Sequence, residues 1–247
     1  MTAPSAGTTA HAAGRNAGLR IILFGASGMV GQGVLRECLL DPGVERVLSV
    51  GRSATGVTHP KLQDLVHADL FDYRAVEADL RGFDACFFCL GVSAGGLSEA
   101  AYTRITFDLT LAAAQALAWL NPSMTFIYVS GSGTDSSERG RAMWARVKGR
   151  TENALLRLPF KAAVMLRPAG IQPMHGERSK TPLYRVFYTV SQPLLPLLRR
   201  LVPGWLTTTE DLGRLMIRLA RTGAPKPVLE SRDIAALAAR NGSQAAL

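Results

Sequence analysis

Short runs of apolar residues alternate with longer stretches of helical spacing between residues 19 and 167. Leu19 to Phe24 is a continuous apolar run that ends at a glycine, which is typical of a strand buried on both faces. Val30 to Leu40 then has apolar residues at helical intervals and stops before a Pro-Gly turn. The same alternation predicts further strands at 44–50, 64–68, 85–90, 125–129 and 162–167, with helices at 73–80, 99–120 and 141–156.

Strands that alternate with helices predict a parallel sheet covered on both faces, because each parallel connection needs a crossover. The expected fold class is therefore α/β with a doubly wound parallel sheet. Residues 1–18 lack an apolar core and are expected to form a disordered tail before a single domain over residues 19–247. The alternation ends after Gly170, and residues 172–227 are expected to contribute a small C-terminal substrate lobe.

Three further elements are expected near the C-terminus. Residues 207–210 read Thr-Thr-Thr-Glu, which is the pattern of a helix cap, and the apolar residues that follow have helical spacing. A last strand is expected at 228–230, and a terminal helix is expected at 234–239.

The composition limits the class of protein and its compartment. The chain has 47% hydrophobic residues, which excludes a disordered chain or a small disulfide scaffold. Three cysteines (Cys38, Cys86 and Cys89) without a secretory segment predict a reduced, cytoplasmic protein. Cys86 and Cys89 lie three apart on a predicted strand, so their thiols are expected to face opposite sides of the sheet. The four histidines show no ligand spacing, so no metal site is expected, and Trp119 and Phe126 are expected in the core.

The charge of the chain is unevenly distributed. The formal net charge is +9 and the pI is near 10, which first suggests an anionic partner. Residues 1–138 carry 9 basic and 13 acidic side chains, whereas residues 139–247 carry 19 basic and 6 acidic ones. The sequence has no basic stripe with interleaved aromatics, so nucleic acid is not the expected partner. We expect a positive site mouth that attracts a dinucleotide or an acidic substrate; contact of Arg199 and Arg200 with a membrane surface or a partner chain is the alternative.

A glycine pattern lies between the first predicted strand and the first predicted helix. Residues 25–31 read Gly-Ala-Ser-Gly-Met-Val-Gly. The first glycine allows a sharp turn, the second lets the backbone approach a pyrophosphate, and the third allows close packing of helix on strand. The helix N-terminus then directs its N–H groups at the anion. The loop residues expected to bind a dinucleotide are Gly25, Ser27, Gly28, Met29, Val30 and Gly31.

Seven motifs between Leu19 and Ile234 occur in a characteristic order. They read LFGASGMVG, SVGRS, ADLFD, FCLG, VSGSG, VKGRTE and LRPAG. With these motifs the chain resembles the short-chain dehydrogenase/reductase superfamily in its atypical or extended branch. Within that branch it is similar to NAD-dependent epimerase/dehydratase-like proteins and to Tat-interacting oxidoreductase-like proteins.

The resemblance implies a Rossmann sheet of strand order 3-2-1-4-5-6, with NAD(P) across the carboxyl ends of the strands. It also implies roles for residues outside the glycine loop. Asp69 and Leu70 would lie beside the adenine, and Gly91 would line the path of the ribose and pyrophosphate. Lys148 would bind the nicotinamide ribose, and Pro168 to Gly170 would lie near the nicotinamide amide.

The end of the second strand bears on the choice of dinucleotide. An NAD site usually has an acidic residue there for the ribose 2′-hydroxyl, but this strand ends in Ser-Val-Gly-Arg-Ser, without a carboxylate. The guanidinium of Arg52 has the donor geometry for a phosphate. The sequence therefore predicts NADP(H) over NAD(H), unless Arg52 is a solvated loop charge.

The catalytic helix departs from the pattern of the superfamily. The resemblance implies a Tyr-x-x-x-Lys helix, in which Tyr is the general acid or base, and a serine on the preceding loop. Here Lys148 is in place and Ser130 or Ser132 can fill the serine role, but Trp144 stands at the tyrosine position. An indole N–H can donate a hydrogen bond but does not titrate near neutral pH.

Three interpretations of Trp144 stay open. The protein could transfer a hydride to an acceptor that needs little acid assistance, such as a quinone or an iminium-like group. Another side chain could supply the proton through water, and Ser130, Ser132, Tyr102 and Arg146 are the candidates. The protein could also bind NADP(H) as a sensor without turnover. The leading hypothesis is an NADP-dependent oxidoreductase of a small carbonyl- or quinone-like compound, and the alternative is a catalytically silent sensor that regulates a protein partner. A homo-oligomer is also compatible with the sequence.

Overall fold

The computed structural model describes residues 18–177 and 204–244. Its strands are β1 (Leu19–Phe24), β2 (Val44–Gly51), β3 (Leu62–Val66), β4 (Ala85–Phe88), β5 (Thr125–Val129), β6 (Ala162–Arg167), β7 (Gly170–Gln172), β8 (Leu206–Thr208) and β9 (Val228–Glu230). Its helices are α1 (Met29–Leu40), α2 (Glu99–Thr103), α3 (Leu109–Leu120), α4 (Met143–Leu155), α5 (Thr209–Thr222) and α6 (Ser231–Gln244). A π-helical turn, Arg104–Asp108, joins α2 to α3.

Seven parallel strands form the main sheet in the order β3-β2-β1-β4-β5-β6-β9. This arrangement confirms the predicted doubly wound Rossmann sheet and extends it by one strand, because β9 pairs with β6. Strands β7 and β8 form a separate parallel pair beyond the end of β6. Within the described ranges, no helix is long and apolar enough to cross a membrane.

The apolar strands supply two cores, one on each face of the sheet. In β1, Ile21 and Leu23 pack on one face, whereas Ile22 and Phe24 pack on the other, as the two-residue period of a strand requires. Helices α1 and α5 cover the first face, and α3 covers the second together with the end of α4. The predicted amphipathic helix is α5, and its cap is as expected: the Thr208 hydroxyl accepts a hydrogen bond from the amide of Asp211.

The two strand cysteines lie on opposite faces of the sheet, as predicted. Cys86 is in the core shared with α3, and Cys89 packs against the core shared with α1. Burial raises the pKa of the Cys89 thiol to about 12. Phe126 is fully buried, but the prediction for Trp119 was wrong because its side chain is 82% exposed. Trp119 lies one turn after the exposed Gln115, on the solvent side of an Ala-rich helix whose other faces are apolar.

Two other predictions need correction or stay open. The helix expected at 73–80 is only a single 3-10 turn, Arg74–Val76, followed by turns up to the buried Leu80. The predicted substrate lobe over 172–227 lies in part at 178–203, outside the described residues, and stays a prediction. The described part of that range includes α5, which packs against α1 under the main sheet.

The uneven charge has a structural counterpart in the described residues. Several basic side chains of the second half form ion pairs with acidic side chains of the first half. These pairs are Arg146 with Glu99, Arg214 with Glu37, and Arg221 with Asp41. Part of the basic excess therefore joins the two halves of the chain, while Arg199 and Arg200 lie outside the described residues.

Candidate functional site

A cavity of about 640 Å³ opens at the carboxyl end of the main sheet. The loops after β1, β4, β5 and β6 contribute its walls, together with α2 and α4. The strand order reverses between β1 and β4, and such a switch point is where open α/β sheets bind their ligands. Among the predicted site residues, those that line the cavity are Gly28, Met29, Val30, Gly91, Ser130, Ser132, Trp144, Lys148 and Pro168.

The glycine loop is built as the GxxGxxG pattern predicts. Gly25 has φ +82°, and a Cβ there would lie 2.7 Å from the carbonyl carbon of Cys89 and the amide nitrogen of Leu90. A Cβ on Gly31 would lie 2.0 Å from the carbonyl oxygen of Gly25. Side chains are therefore excluded at both positions by neighbouring backbone, which fixes the start of α1 against the end of β4.

The surface above this loop can accommodate a dinucleotide. Gly28 and Gly91 both line the cavity, and a Cβ on Gly91 would meet no atom within 4 Å. The absence of side chains at these two positions leaves the backbone open to a close ligand. The first N–H groups of α1 have no intrahelical partner, and they favour a pyrophosphate at the N-terminus of the helix. The residues present thus fit the pyrophosphate of NAD(P).

Lys148 projects from α4 towards the same cavity. Its Nζ donates a hydrogen bond of 2.9 Å to the carbonyl oxygen of Ser130 and lies 5.8 Å from the centre of the Tyr128 ring. Burial lowers the pKa of the Lys148 ammonium to about 8, although the nearby Glu152 carboxylate acts in the opposite direction. Lys148 therefore combines a fixed position with an amine that loses its proton near pH 8.

We expect Lys148 to react selectively with acylating reagents near pH 8. At that pH about half of an amine with this pKa is uncharged, against less than about 1% for an ordinary lysine. Acetylation measured by peptide mass spectrometry from pH 6 to 10 should give a midpoint near 8 for Lys148, and cofactor should protect it. The exposed Lys226 is the control. A constant ratio of Lys148 to Lys226 labelling across the range would contradict the lowered pKa.

The two candidate serines have different surroundings. The Ser130 hydroxyl donates to the carboxylate of Glu152, lies 2.9 Å from the Thr134 hydroxyl, and accepts from the amide of Gly131. Ser132 lines the cavity on the same loop, and its amide donates to the carbonyl of Pro168. The Ser130 hydroxyl thus already makes hydrogen bonds within the protein. Ser132 is therefore the better candidate for orienting a substrate oxygen.

Trp144 lines the cavity one helical turn before Lys148. Its six-membered ring lies against the turn at Gly133, where a Cβ would be 3.2 Å from the ring carbon Cη2. Gly133 has φ +86°, so this turn both needs a glycine and leaves room for the indole. The structure therefore places a large flat ring where the superfamily pattern has a tyrosine.

A buried ion pair beneath the site was not found by sequence reasoning. Glu152 and Arg167 have side chains only 1% and 9% exposed, and the guanidinium Nε of Arg167 donates to both carboxylate oxygens at 3.1 Å. Arg167 also pairs with Glu230 at 2.8 Å. The available signal was the four-residue spacing from Lys148 to Glu152, which puts both on one face of α4. Arg167 ends β6, directly before Pro168.

The remaining predicted residues do not line the cavity. Arg52 directly follows β2 and is exposed, and Asp69 and Leu70 follow β3; all three lie at the same carboxyl edge as the glycine loop. Gly170 begins β7, between the lining residues Ala169 and Ile171. The structure thus provides one edge of the sheet along which an extended dinucleotide could lie.

One cluster of potential metal ligands was not predicted from the sequence. Glu37, His175 and Glu210 place side-chain ligand atoms within 4.8 Å of one another. The carboxylate of Glu37 already pairs with Arg214 at 2.9 Å, and Glu210 pairs with both Arg214 and His175. These pairings neutralise the carboxylates, so the cluster is accounted for as an ion-pair network.

The main sheet has the doubly wound Rossmann fold, and the predicted glycine loop and Lys148 meet in one cavity at its switch point. The sequence pattern of the NAD dependent epimerase/dehydratase family matches residues 21–138, so this part of the chain is similar to that family. The match spans the glycine loop, β2, β3, β4 and the helices up to the loop after β5. It confirms the resemblance drawn from the seven motifs.

The chain is also similar to individual proteins and to solved structures. Protein FMP52-2, mitochondrial, of Scheffersomyces stipitis is 24% identical over 84% of this chain and 90% of its own length. Protein fmp52, mitochondrial, of Emericella nidulans is 26% identical over 80% and 85%, respectively. The crystal structure of Bordetella bronchiseptica WbmF in complex with NAD+ superposes with a TM-score of 0.62 at 18% identity, over 92% of this chain and 78% of that one. This last similarity concerns the fold.

The comparison corrects the predicted location. The expectation of a cytoplasmic protein was wrong, because these fungal relatives are named as mitochondrial proteins. A low cysteine count and the absence of a secretory pattern are compatible with either compartment, and neither feature distinguishes them.

Proposed function

We propose that the protein is an NAD(P)H-dependent oxidoreductase of a small carbonyl- or quinone-like compound. The observation that carries this proposal is the convergence of the glycine loop, Lys148 and Ser132 on one cavity at the switch point of the sheet. A bound NAD(P)H supplies a hydride equivalent. The chain supplies the binding surface, the orientation of the acceptor and the exclusion of water.

Each group has a distinct part in this proposal. The N-terminus of α1 and the bare backbone at Gly28 and Gly91 hold the pyrophosphate. Lys148, fixed by the carbonyl of Ser130, donates to the ribose hydroxyls and brings positive charge to the reacting end. Ser132 donates a hydrogen bond to the acceptor oxygen and stabilises the charge that develops there. Trp144 cannot transfer a proton at neutral pH, so the proton comes from water or a neighbouring side chain.

NADPH is the proposed preferred cofactor, because Arg52 follows β2 at the position where a 2′-phosphate would lie. Replacing Arg52 by alanine is expected to raise the Kd of NADPH about ten- to hundredfold, the loss of one charge-assisted hydrogen bond, with little effect on NADH. Thermal melting with each cofactor measures the affinities for NADPH and NADH. At a concentration of a hundred times Kd, a ligand adds about 2.7 kcal/mol to the free energy of unfolding, which raises Tm by several degrees in a protein of this size.

The control for this measurement is Arg81→Ala. Arg81 is exposed just before β4, at the amino end of the strands, whereas the cavity lies at their carboxyl end. An identical ratio of NADPH to NADH affinity in the parent and in Arg52→Ala would refute the preference. No shift with either cofactor would refute the proposed function itself.

A second function, that of a silent NADP(H) sensor for a protein partner, is favoured by one observation. The position of the general acid is held by the indole of Trp144, which lines the cavity but contributes no proton. A sensor would show tight cofactor binding and partner affinity that depends on the cofactor. Oxidation of NADPH with any acceptor from a carbonyl and quinone panel, lost in Lys148→Ala, would decide against it.

A further inference from the structure

The walls of the cavity are nearly free of charge. Among the described residues that line it, Lys148 alone carries a charged side chain. The remainder are glycines, small hydroxyl or apolar residues, and two large aromatic residues, Tyr102 and Trp144. Because Lys148 faces the reacting end of a dinucleotide, the described part of the cavity beyond it offers no group to bind an anionic substrate.

The two aromatic residues come from helices that are fixed to each other. Tyr102 lies on α2, three residues after Glu99, and Trp144 lies on α4, two residues before Arg146. The guanidinium of Arg146 pairs with the carboxylate of Glu99 at 2.7 Å and also donates to the carbonyls of Gly140 and Arg141. This ion pair holds the Tyr102 turn of one helix against the Trp144 turn of the other.

Both aromatic residues have limited freedom to move. Tyr102 is only 2% exposed, and its helix continues directly into the π-helical turn, a feature that is frequent at functional sites. The indole of Trp144 is backed by the turn at Gly133. Rigid aromatic walls bind a flat ring at little cost in side-chain entropy and add the preference of aromatic rings for offset or edge-to-face contact.

From this geometry we infer that the substrate is a planar, uncharged, conjugated acceptor of the quinone class, held between Trp144 and Tyr102. This inference rests on the proposed function and narrows it. Ser132 and the indole N–H are the donors available to the oxygens of such an acceptor. The nucleotide part of a nucleotide sugar would meet no cation other than Lys148 among the described lining residues.

The chemistry agrees with an indole at position 144. The overall reaction is quinone + NAD(P)H + H+ → hydroquinone + NAD(P)+, in which the quinone gains two electrons and the nicotinamide loses them. The C–H bond of the dihydronicotinamide breaks and its hydride forms one O–H bond of the quinone. The displaced C=O electron pair moves through the ring to the second oxygen. That oxyanion is delocalised over an aromatic ring and takes its proton from water. A saturated ketone would instead form a localised alkoxide, for which a general acid is worth about 10²–10⁴-fold in rate.

Binding of menadione and of 1-decalone, a saturated ketone of similar size, tests the inference without turnover. Equilibrium dialysis is carried out with protein saturated with NADP+ and again without cofactor. We expect menadione to bind more tightly than 1-decalone, and Trp144→Leu or Tyr102→Leu to raise its Kd about tenfold, the worth of an aromatic pair. Trp144→Phe should bind menadione more tightly than Trp144→Leu but less tightly than the parent. Trp119→Leu removes a tryptophan that is exposed on α3, outside the cavity, and should leave the Kd unchanged.

Turnover gives a second readout. The parent should oxidise NADPH with menadione but not with 1-decalone, whereas Trp144→Tyr, which restores a titratable phenol, should gain the ketone reaction. Equal menadione Kd values in the parent and in Trp144→Leu, or 1-decalone binding as tightly as menadione, would overturn the substrate class. The cofactor melting shift is measured on the same samples, so its absence would overturn the proposed function separately.

Discussion

Replacement of Gly31 by alanine is expected to lower the melting temperature of the protein and to abolish the melting shift given by NADPH. The new Cβ would lie 2.0 Å from the carbonyl oxygen of Gly25 and 2.9 Å from the Cα of Ala26, and both are backbone atoms that no side-chain movement can displace. Overpacking of this kind costs about 1–3 kcal/mol, and each kcal/mol lowers Tm by about 2–4 °C in a chain of this size. Helix α1 would have to move away from the end of β1, which removes the aligned N–H groups from the pyrophosphate.

A matched variant separates the fold from the ligand in this experiment. At Gly28 a Cβ would have its nearest neighbour at 3.4 Å, an ordinary contact, so Gly28→Ala should keep a melting temperature close to that of the parent. Its methyl group would nevertheless occupy the surface that faces the cavity, and the NADPH shift should disappear. A wild-type NADPH shift in Gly31→Ala would show that the loop does not carry the cofactor in the proposed way.

The sheet and its switch point could be predicted because each depends on local pattern. The buried strands are continuous apolar runs between glycine or proline turns, and parallel connection restricts the topology to few choices. The glycine loop could also be predicted from the sequence. A side chain at Gly31 would collide with backbone close in sequence, and a side chain at Gly25 would collide with backbone at the end of the neighbouring strand. The edge strand β9 was expected as a strand, but its pairing with β6 depends on the whole chain.

The errors came from features that depend on tertiary contacts. Trp119 was expected in the core because it is large and apolar. Other apolar or small residues of α3 already form its buried faces, so Trp119 lies on the solvent side. The predicted helix at 73–80 is only one turn, because its buried residues Tyr73 and Leu80 anchor a loop under the sheet edge.

The sequence predicted which residues form the site better than it predicted the hydrogen bonds and ion pairs among them. The sequence placed Lys148, Ser130 and Ser132 together, and the structure brings all three to one cavity. It did not reveal that the Ser130 hydroxyl is bound by Glu152, since the partner lies 22 residues away on another element. Nor did it reveal the pairing of Glu152 with Arg167, which requires α4 and β6 to be packed against each other.

The Glu152–Arg167 pair gives the largest stability effect that we expect. Glu152→Leu would leave the Arg167 guanidinium buried beside an apolar side chain, with Glu230, about half exposed, as its remaining carboxylate partner among the described residues. Breaking a buried pair on one side costs about 3–5 kcal/mol. Urea unfolding of the cofactor-free protein should show a loss of that size, whereas Glu77→Leu, which breaks the exposed pair with Arg81, should cost less than about 1 kcal/mol.

The double variant Glu152→Leu/Arg167→Met is the decisive comparison. It removes both charges, so it should be more stable than Glu152→Leu alone, and the two single effects should not add. The same substitution reaches the site, because the Glu152 carboxylate opposes the lowering of the Lys148 pKa. In Glu152→Leu the acetylation midpoint of Lys148 should therefore fall below pH 8. Additive single effects together with an unchanged midpoint would mean that this pair neither stabilises the fold as a unit nor sets the charge of the lysine that lines the cavity.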